Sequence, residues 1–121
     1  MATVCVDPDC KTYLRGEVIP VSVEVLSNSE SEFRVVGSER TYCEVRTSSG
    51  EIVTTLSPRI QEVEEYHKQL FCSWDTNGLE AGYYNLRFWI SINISDAQVG
   101  GEYVEDYRLA STQLKRYIKA E

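Results

Sequence analysis

Between Gly82 and Ile92 the chain reads Gly-Tyr-Tyr-Asn-Leu-Arg-Phe-Trp-Ile-Ser-Ile. Tyr84, Leu86, Phe88, Ile90 and Ile92 take every second position, and a period of two sets all five on one face of a strand. The opposite face receives Tyr83, Asn85, Arg87, Trp89 and Ser91, a polar and aromatic mixture. A strand with one apolar face and one mixed face belongs to an antiparallel sheet that covers a core once. Asn77-Gly78 and Gly82 supply the positive-φ positions that a bend into this strand needs.

The same period recurs along the chain. Ile19, Val21, Val23 and Val25 alternate with Pro20, Ser22 and Glu24, and Pro20, lacking a donor, points to an edge or a bulge there. Thr41, Cys43 and Val45 share a face, and Ser48-Ser49-Gly50 turns that strand back into Glu51 to Leu56 as a hairpin. Leu70, Cys72 and Trp74 share another face. Ala2 to Val6 reads as a short strand, bent at Asp7-Pro8-Asp9 and resumed at Thr12 to Leu14, and Phe33 to Val36 as a brief strand or connector. Ser57 to Glu65 reads as a polar segment with room for one helical turn, and Asn93 to Gly101 as a loop. Tyr103 to Ile118 closes the chain as one bent strand or a hairpin, since Leu109, Thr112, Leu114 and Tyr117 hold no single period. About seven or eight short strands spaced by turns predict an all-β, antiparallel two-sheet β-sandwich rather than βαβ units. Its expected core includes Val21, Val23, Val25, Val45, Leu70, Trp74, Leu86, Phe88 and Ile90, and residues 1–121 are expected to form a single domain.

Charge narrows the function. With 12 basic and 19 acidic residues the formal charge is -7, which opposes nucleic-acid binding and docking on anionic lipid. Met1-Ala-Thr-Val-Cys-Val does not read as a signal peptide, no apolar run is long enough to span a bilayer, and Lys119-Ala-Glu carries no lipidation signal. The expectation is cytoplasmic synthesis with incorporation into a particle, or a domain excised from a secreted protein.

Tyr13-Leu-Arg-Gly-Glu-Val-Ile-Pro-Val-Ser-Val, then Ser48-Ser-Gly-Glu-Ile-Val, then Leu79-Glu-Ala-Gly-Tyr-Tyr-Asn-Leu occur in that order. This succession resembles the macroglobulin and immunoglobulin-like modules, and the resemblance implies an immunoglobulin-like sandwich. Trp74 followed by Gly82-Tyr83 is also similar to bacterial intracellular proteinase inhibitors of sandwich fold, although no inhibitory loop maps residue by residue. Fold likeness does not choose among adhesins, spacers, inhibitors and virion subunits.

Chemistry-bearing patterns are sparse. His67 is the lone histidine and has no nucleophile or orienting carboxylate nearby in sequence, so it reads as a solvent-facing strand residue. Asp7-Pro8-Asp9 and the Glu62, Glu64, Glu65 cluster offer oxygens to a cation but too few at a defined spacing, and a polar turn and a solvated face are the commoner readings. No phosphate-cradling loop is present. Cys5 and Cys10 are close enough in sequence to close a local disulfide, while Cys43 and Cys72 stand on inward sets as an inter-sheet bridge or as buried thiols; zinc knuckle spacing is missing. Asn93-Ile94-Ser95 matches a glycosylation acceptor pattern that is common by chance.

Tyr83, Arg87 and Trp89 are the candidate interaction residues. They sit on the face where a monomer would carry polar groups, and their types are enriched at binding hot spots. A covering by the closing strand is the competing reading. The expected function is a non-enzymatic structural or interaction module, an accessory surface subunit of a larger assembly such as a virion, with a protein partner or a homo-oligomer and no cofactor. The alternatives are a proteinase inhibitor or ligand-binding module, using Ser57 to Glu65 or Asn93 to Gly101 as its loop, and a domain of a secreted adhesin-like protein.

Overall fold

A computed structural model describes residues 2–5, 11–27, 33–36, 40–64, 67–96 and 102–120. They form eleven strand segments: β1 (Ala2–Cys5), β2 (Lys11–Leu14), β3 (Val18–Ser27), β4 (Phe33–Val36), β5 (Tyr42–Thr47), β6 (Ile52–Leu56), β7 (Arg59–Glu64), β8 (His67–Asp75), β9 (Gly82–Asp96), β10 (Glu102–Ala110) and β11 (Leu114–Lys119). The smaller sheet has the order β1-β3-β8-β7; the larger has the order β2-β11-β9-β5-β6, with β10 and β4 also pairing with β9. The architecture is the expected all-β sandwich.

The 15-residue β9 is the spine of the larger sheet. Along one edge it pairs antiparallel with β11 and then β10, and along the other with β5 and then β4. Both flanking strands break near Phe88 to Ile90, and hydroxyl side chains carry the ladder across. On one side Phe88 N donates to Ser111 Oγ at 2.9 Å, while Ser111 N donates to Phe88 O at 2.9 Å. On the other, Ser91 N donates to Thr41 Oγ1 at 3.2 Å, and Ser91 Oγ donates to the Arg40 carbonyl at 3.1 Å. Ser111, Thr41 and Ser91 are all buried, so these bonds satisfy backbone groups that water cannot reach. The first strand is divided as well: β1 runs antiparallel to β3 in the smaller sheet and β2 runs parallel to β11 in the larger. Counting each of these three divided strands once leaves eight.

The core lies between the sheets. Val21, Val23, Val25, Val45, Leu70, Trp74, Leu86, Phe88 and Ile90 are all buried, as the alternation predicts, together with Ile19, Phe33, Tyr84, Ile92, Leu114 and Ile118. At the bend before β9, Leu79 N donates to the Thr76 carbonyl at 3.2 Å, with Gly78 at φ 80°. Tyr84 then anchors the corner: its hydroxyl donates to the Glu80 carbonyl at 2.6 Å and its ring meets Trp74 edge-on at 5.4 Å. Thr76, fully buried, ties the corner to the β2–β3 turn by accepting from Gly16 N at 2.9 Å and donating to the Glu17 carbonyl at 2.7 Å.

Three expectations are corrected. Ser57 to Glu65 is not a polar loop with a helical turn, because β7 fills residues 59–64 and pairs with β8. It is an edge strand exposed on both faces over residues 59–63, so no amphipathic period marks it. Asn93 to Gly101 is not a loop from its start, because β9 runs on through Asp96 between β4 and β10. Pro20 sits in the regular β3–β8 ladder opposite Ser73, with no bulge; β1 covers only the far end of β3, from Glu24 to Ser27, so the edge reading holds and the bulge does not.

Candidate interaction face of the larger sheet

Cross-strand register decides which side chains share the outer face of the larger sheet. Arg46, Asn85 and Lys115 form one row; Glu44 stands opposite Arg87; Tyr42, Trp89 and Ala110 form a second row; Arg108 stands opposite Ser91 and Tyr117 opposite Tyr83. Tyr83, Arg87 and Trp89 thus lie on one outward strip, as their alternation in sequence requires.

Their environments differ. Tyr83 is 56% exposed and packs beside Tyr117 with ring centroids 4.8 Å apart. Arg87 and Trp89 are half-buried. Trp89 lies between two guanidinium groups, with Arg87 5.9 Å and Arg108 5.7 Å from its ring. Arg108 is fixed from behind, donating to Ser91 Oγ at 3.0 Å, to the Arg40 carbonyl at 3.1 Å and to the Tyr42 hydroxyl at 3.3 Å. Arg46 pairs with Glu44 and donates to the Gly50 carbonyl at 2.8 Å.

Beside this cluster is a depression of about 300 Å³ lined by Glu44, Arg46, Gly50, Asn85, Arg87, Trp89 and Gln113. Asn85 also borders a neighbouring hollow with Ser48, Tyr83 and Lys115, so the two form one continuous relief. The closing strand does not lie over the face. It pairs edge-on with β9 and adds Tyr117, Lys115 and Arg108 to the same surface.

The remaining candidates are scattered. His67 is half-buried in the smaller sheet, its Nε2 3.2 Å from Glu24 Oε1. Glu62 lies 3.3 Å from Lys68 Nζ at the edge of that sheet. Lys68 belongs to the inward set of β8 and is buried, its ammonium 4.6 Å from the Phe33 ring centre; the apolar pattern starting at Leu70 gave no sign of it. Cys43 and Cys72 are buried free thiols on facing sheets, and their hydrogen bond together with burial pushes the Cys43 thiol far above its usual range. The Cys10 side of the expected Cys5–Cys10 pair, the Cys5 side chain, Asp7-Pro8-Asp9, the Glu64 side chain, Glu65 and Gly100-Gly101 lie outside the described residues. Among the described residues no group of three or more His, Cys, Asp or Glu could hold a metal ion, and no helix is long and apolar enough to cross a membrane.

No family model and no curated protein sequence matches the chain. Its fold, however, has a solved counterpart. The major subunit of aggregative adherence fimbriae type I from Escherichia coli is similar over 100% of this chain and 93% of its own, with a TM-score of 0.57 and 11% identity. At that identity the likeness is one of fold. A family 123 glycoside hydrolase from Clostridium perfringens aligns over only 27% of its own length, with a TM-score of 0.43 and 7% identity, too weak a likeness to bear on chemistry.

Proposed function

We propose that this chain is a non-enzymatic structural subunit that joins a larger surface assembly through the outer face of its larger sheet. The observation that carries the reading is the Trp89 cluster. An indole within about 6 Å of the Arg87 and Arg108 guanidinium groups, with Tyr42 opposite it and the Tyr83–Tyr117 pair farther along the same strip, gathers the residue types that dominate binding hot spots on one open face. The fimbrial counterpart, itself a major subunit of a surface structure, supports the same reading. A virion decoration or tail-associated protein is the form of assembly we favour, with a protein partner or further copies of the chain on this face.

The strand order β1-β3-β8-β7 facing β2-β11-β9-β5-β6 supports an immunoglobulin-like sandwich, as does the Tyr84 hydroxyl held by the backbone four residues before it. We take residues 1–121 as one such module. The inhibitor reading loses a protruding loop at 59–64, where β7 is hydrogen-bonded to β8.

The test is the Trp89→Ala, Arg87→Glu double variant, with His67→Ala on the other sheet as its control. Capture of partner or self-association by the purified chain should vanish in the double variant and survive in His67→Ala, with far-UV circular dichroism and a cooperative thermal transition retained in both. Association that persists in the folded double variant contradicts the reading. A folded His67→Ala variant that loses function would revive an enzymatic one.

A further inference from the structure

Inside the core, away from the association face, two cysteines meet. Cys43 stands in β5 opposite Phe88 and Cys72 in β8 opposite Val21, so each sheet supplies one. Both point inward, Cys43 fully buried and Cys72 4% exposed. Their thiols are hydrogen-bonded to each other across the gap between the sheets. Sulfhydryl groups are weak donors and weak acceptors, so this contact aligns two sulfur atoms while binding them only lightly. In immunoglobulin domains the inter-sheet bridge joins strands B and F. By order in their sheets β3 and β9 hold those places, and neither carries a cysteine.

We infer that Cys43 and Cys72 form an inter-sheet disulfide when the chain folds in an oxidising medium, and that the closed sandwich then keeps whichever state it folded in. The inference is independent of the association reading. With glutathione disulfide as the oxidant, one cysteine thiolate attacks it and releases a first glutathione; the second cysteine attacks the mixed disulfide and releases the other. The two cysteines lose two electrons and two protons in all, and the oxidant, taking up both, leaves as two thiols.

Burial decides when this can happen. The mixed disulfide puts a tripeptide on a core sulfur, and a close-packed interior has no room for one. Exchange therefore precedes closure of the sheets or waits for them to open. Thiolate is the attacking species, and in the folded chain the Cys72 hydrogen bond and burial push the Cys43 thiol far above its usual range. The bridge would close a loop of about 30 residues. That loop contains β6 and β7, edge strands held by one ladder each, between which the chain passes from the larger sheet to the smaller. A covalent tie between β5 and β8 thus spans the side of the sandwich with the fewest ladders to hold it.

The test starts from the full chain, reduced and unfolded in guanidinium chloride, then refolded in a mixture of reduced and oxidised glutathione. Alkylation and mass mapping without reductant should find the Cys43 and Cys72 peptides joined, lighter by two hydrogens than the sum of their thiol forms. The folded reduced chain in the same buffer should oxidise at this pair at least about a hundredfold more slowly, because core strands open only at close to the full cost of unfolding. The bridged chain should melt roughly 10 °C above the reduced one, and Cys43→Ala refolded in the same way should lose most of that gain. Refolded chains that keep both thiols, or that join either one to Cys5 or Cys10, overturn the inference. A bridged chain that melts no higher than the reduced one overturns it as well, since the native packing would then oppose the bond. Oxidation of the folded chain as fast as during refolding contradicts the claim that the closed sandwich keeps its state. The peptide map is read on the wild-type chain, so it decides whether or not the alanine variant folds.

Discussion

Phe88 and Tyr84 show how much single positions of β9 carry. Phe88 has no exposed surface and lies level with the breaks in both neighbouring strands. Phe88→Ala should lower unfolding free energy by about 3–5 kcal/mol, since a buried aromatic leaves a cavity that a close-packed sandwich fills poorly; denaturant titration measures it, and a near-wild-type midpoint would place Phe88 outside the core. Tyr84 yields a pH effect. Burial and the nearby Glu80 carboxylate raise its pKa above the ordinary 10.0. Above pH 10 the unfolded chain releases a proton that the folded chain retains, so this stability is complete below pH 10 and is lost as pH rises through the folded pKa. Thermal midpoints should fall more shallowly above pH 10 in Tyr84→Phe than in wild type, and parallel slopes would remove the tyrosine from the account. The Cys43 thiol acts in the same sense from 9.0 upward, so the variant keeps part of the slope. Both core assignments follow from period two alone, because each side chain's direction is set by its own strand. Lys68 was not legible in that way: its position in the inward set is visible, but its acceptance there depends on Phe33, from the other sheet, and on Glu62, which stands opposite it only through the β7–β8 pairing.

At the scale of elements, the sandwich depends on patched breaks. Ser111 is the bridge between β10 and β11, accepting from Phe88 N and donating to the Thr112 carbonyl at 2.9 Å each. Ser111→Ala leaves a buried backbone N–H without a partner and should cost about 1–3 kcal/mol. It should also speed hydrogen exchange at Phe88 more than at Leu70 in the other sheet; equal exchange at both would mean that the break is not held by this hydroxyl. Such bridges explain which elements could be read in advance. Strands with one buried face, such as β3, β8 and β9, announce themselves by alternation. The edge strand β7 does not, because Arg59, Ile60, Gln61, Glu62 and Val63 are exposed on both faces and its existence rests on pairing with β8. The end of β9 was obscured in the same way: Asn93 and Ser95 look like loop residues until β4 and β10 pair with them.

For the whole molecule, the outward strip of Tyr83, Arg87 and Trp89 was legible from alternation, and its company was not. Tyr42, Arg108, Lys115 and Tyr117 come from three other segments, and only register brings them beside β9. A hollow lined by Glu44, Gly50 and Gln113 depends on the same assembly of strands. The central claim is that this composite face is covered when the chain associates. Oxidative footprinting of the free and the assembled chain measures it most directly, by comparing modification of Tyr83, Trp89 and Tyr117 with that of Phe71, a half-buried residue of the smaller sheet. The account predicts protection of the first three on association, with Phe71 labelled equally in both states. Protection of Phe71 with Tyr83 and Trp89 unchanged would contradict it and move the interface to the opposite sheet.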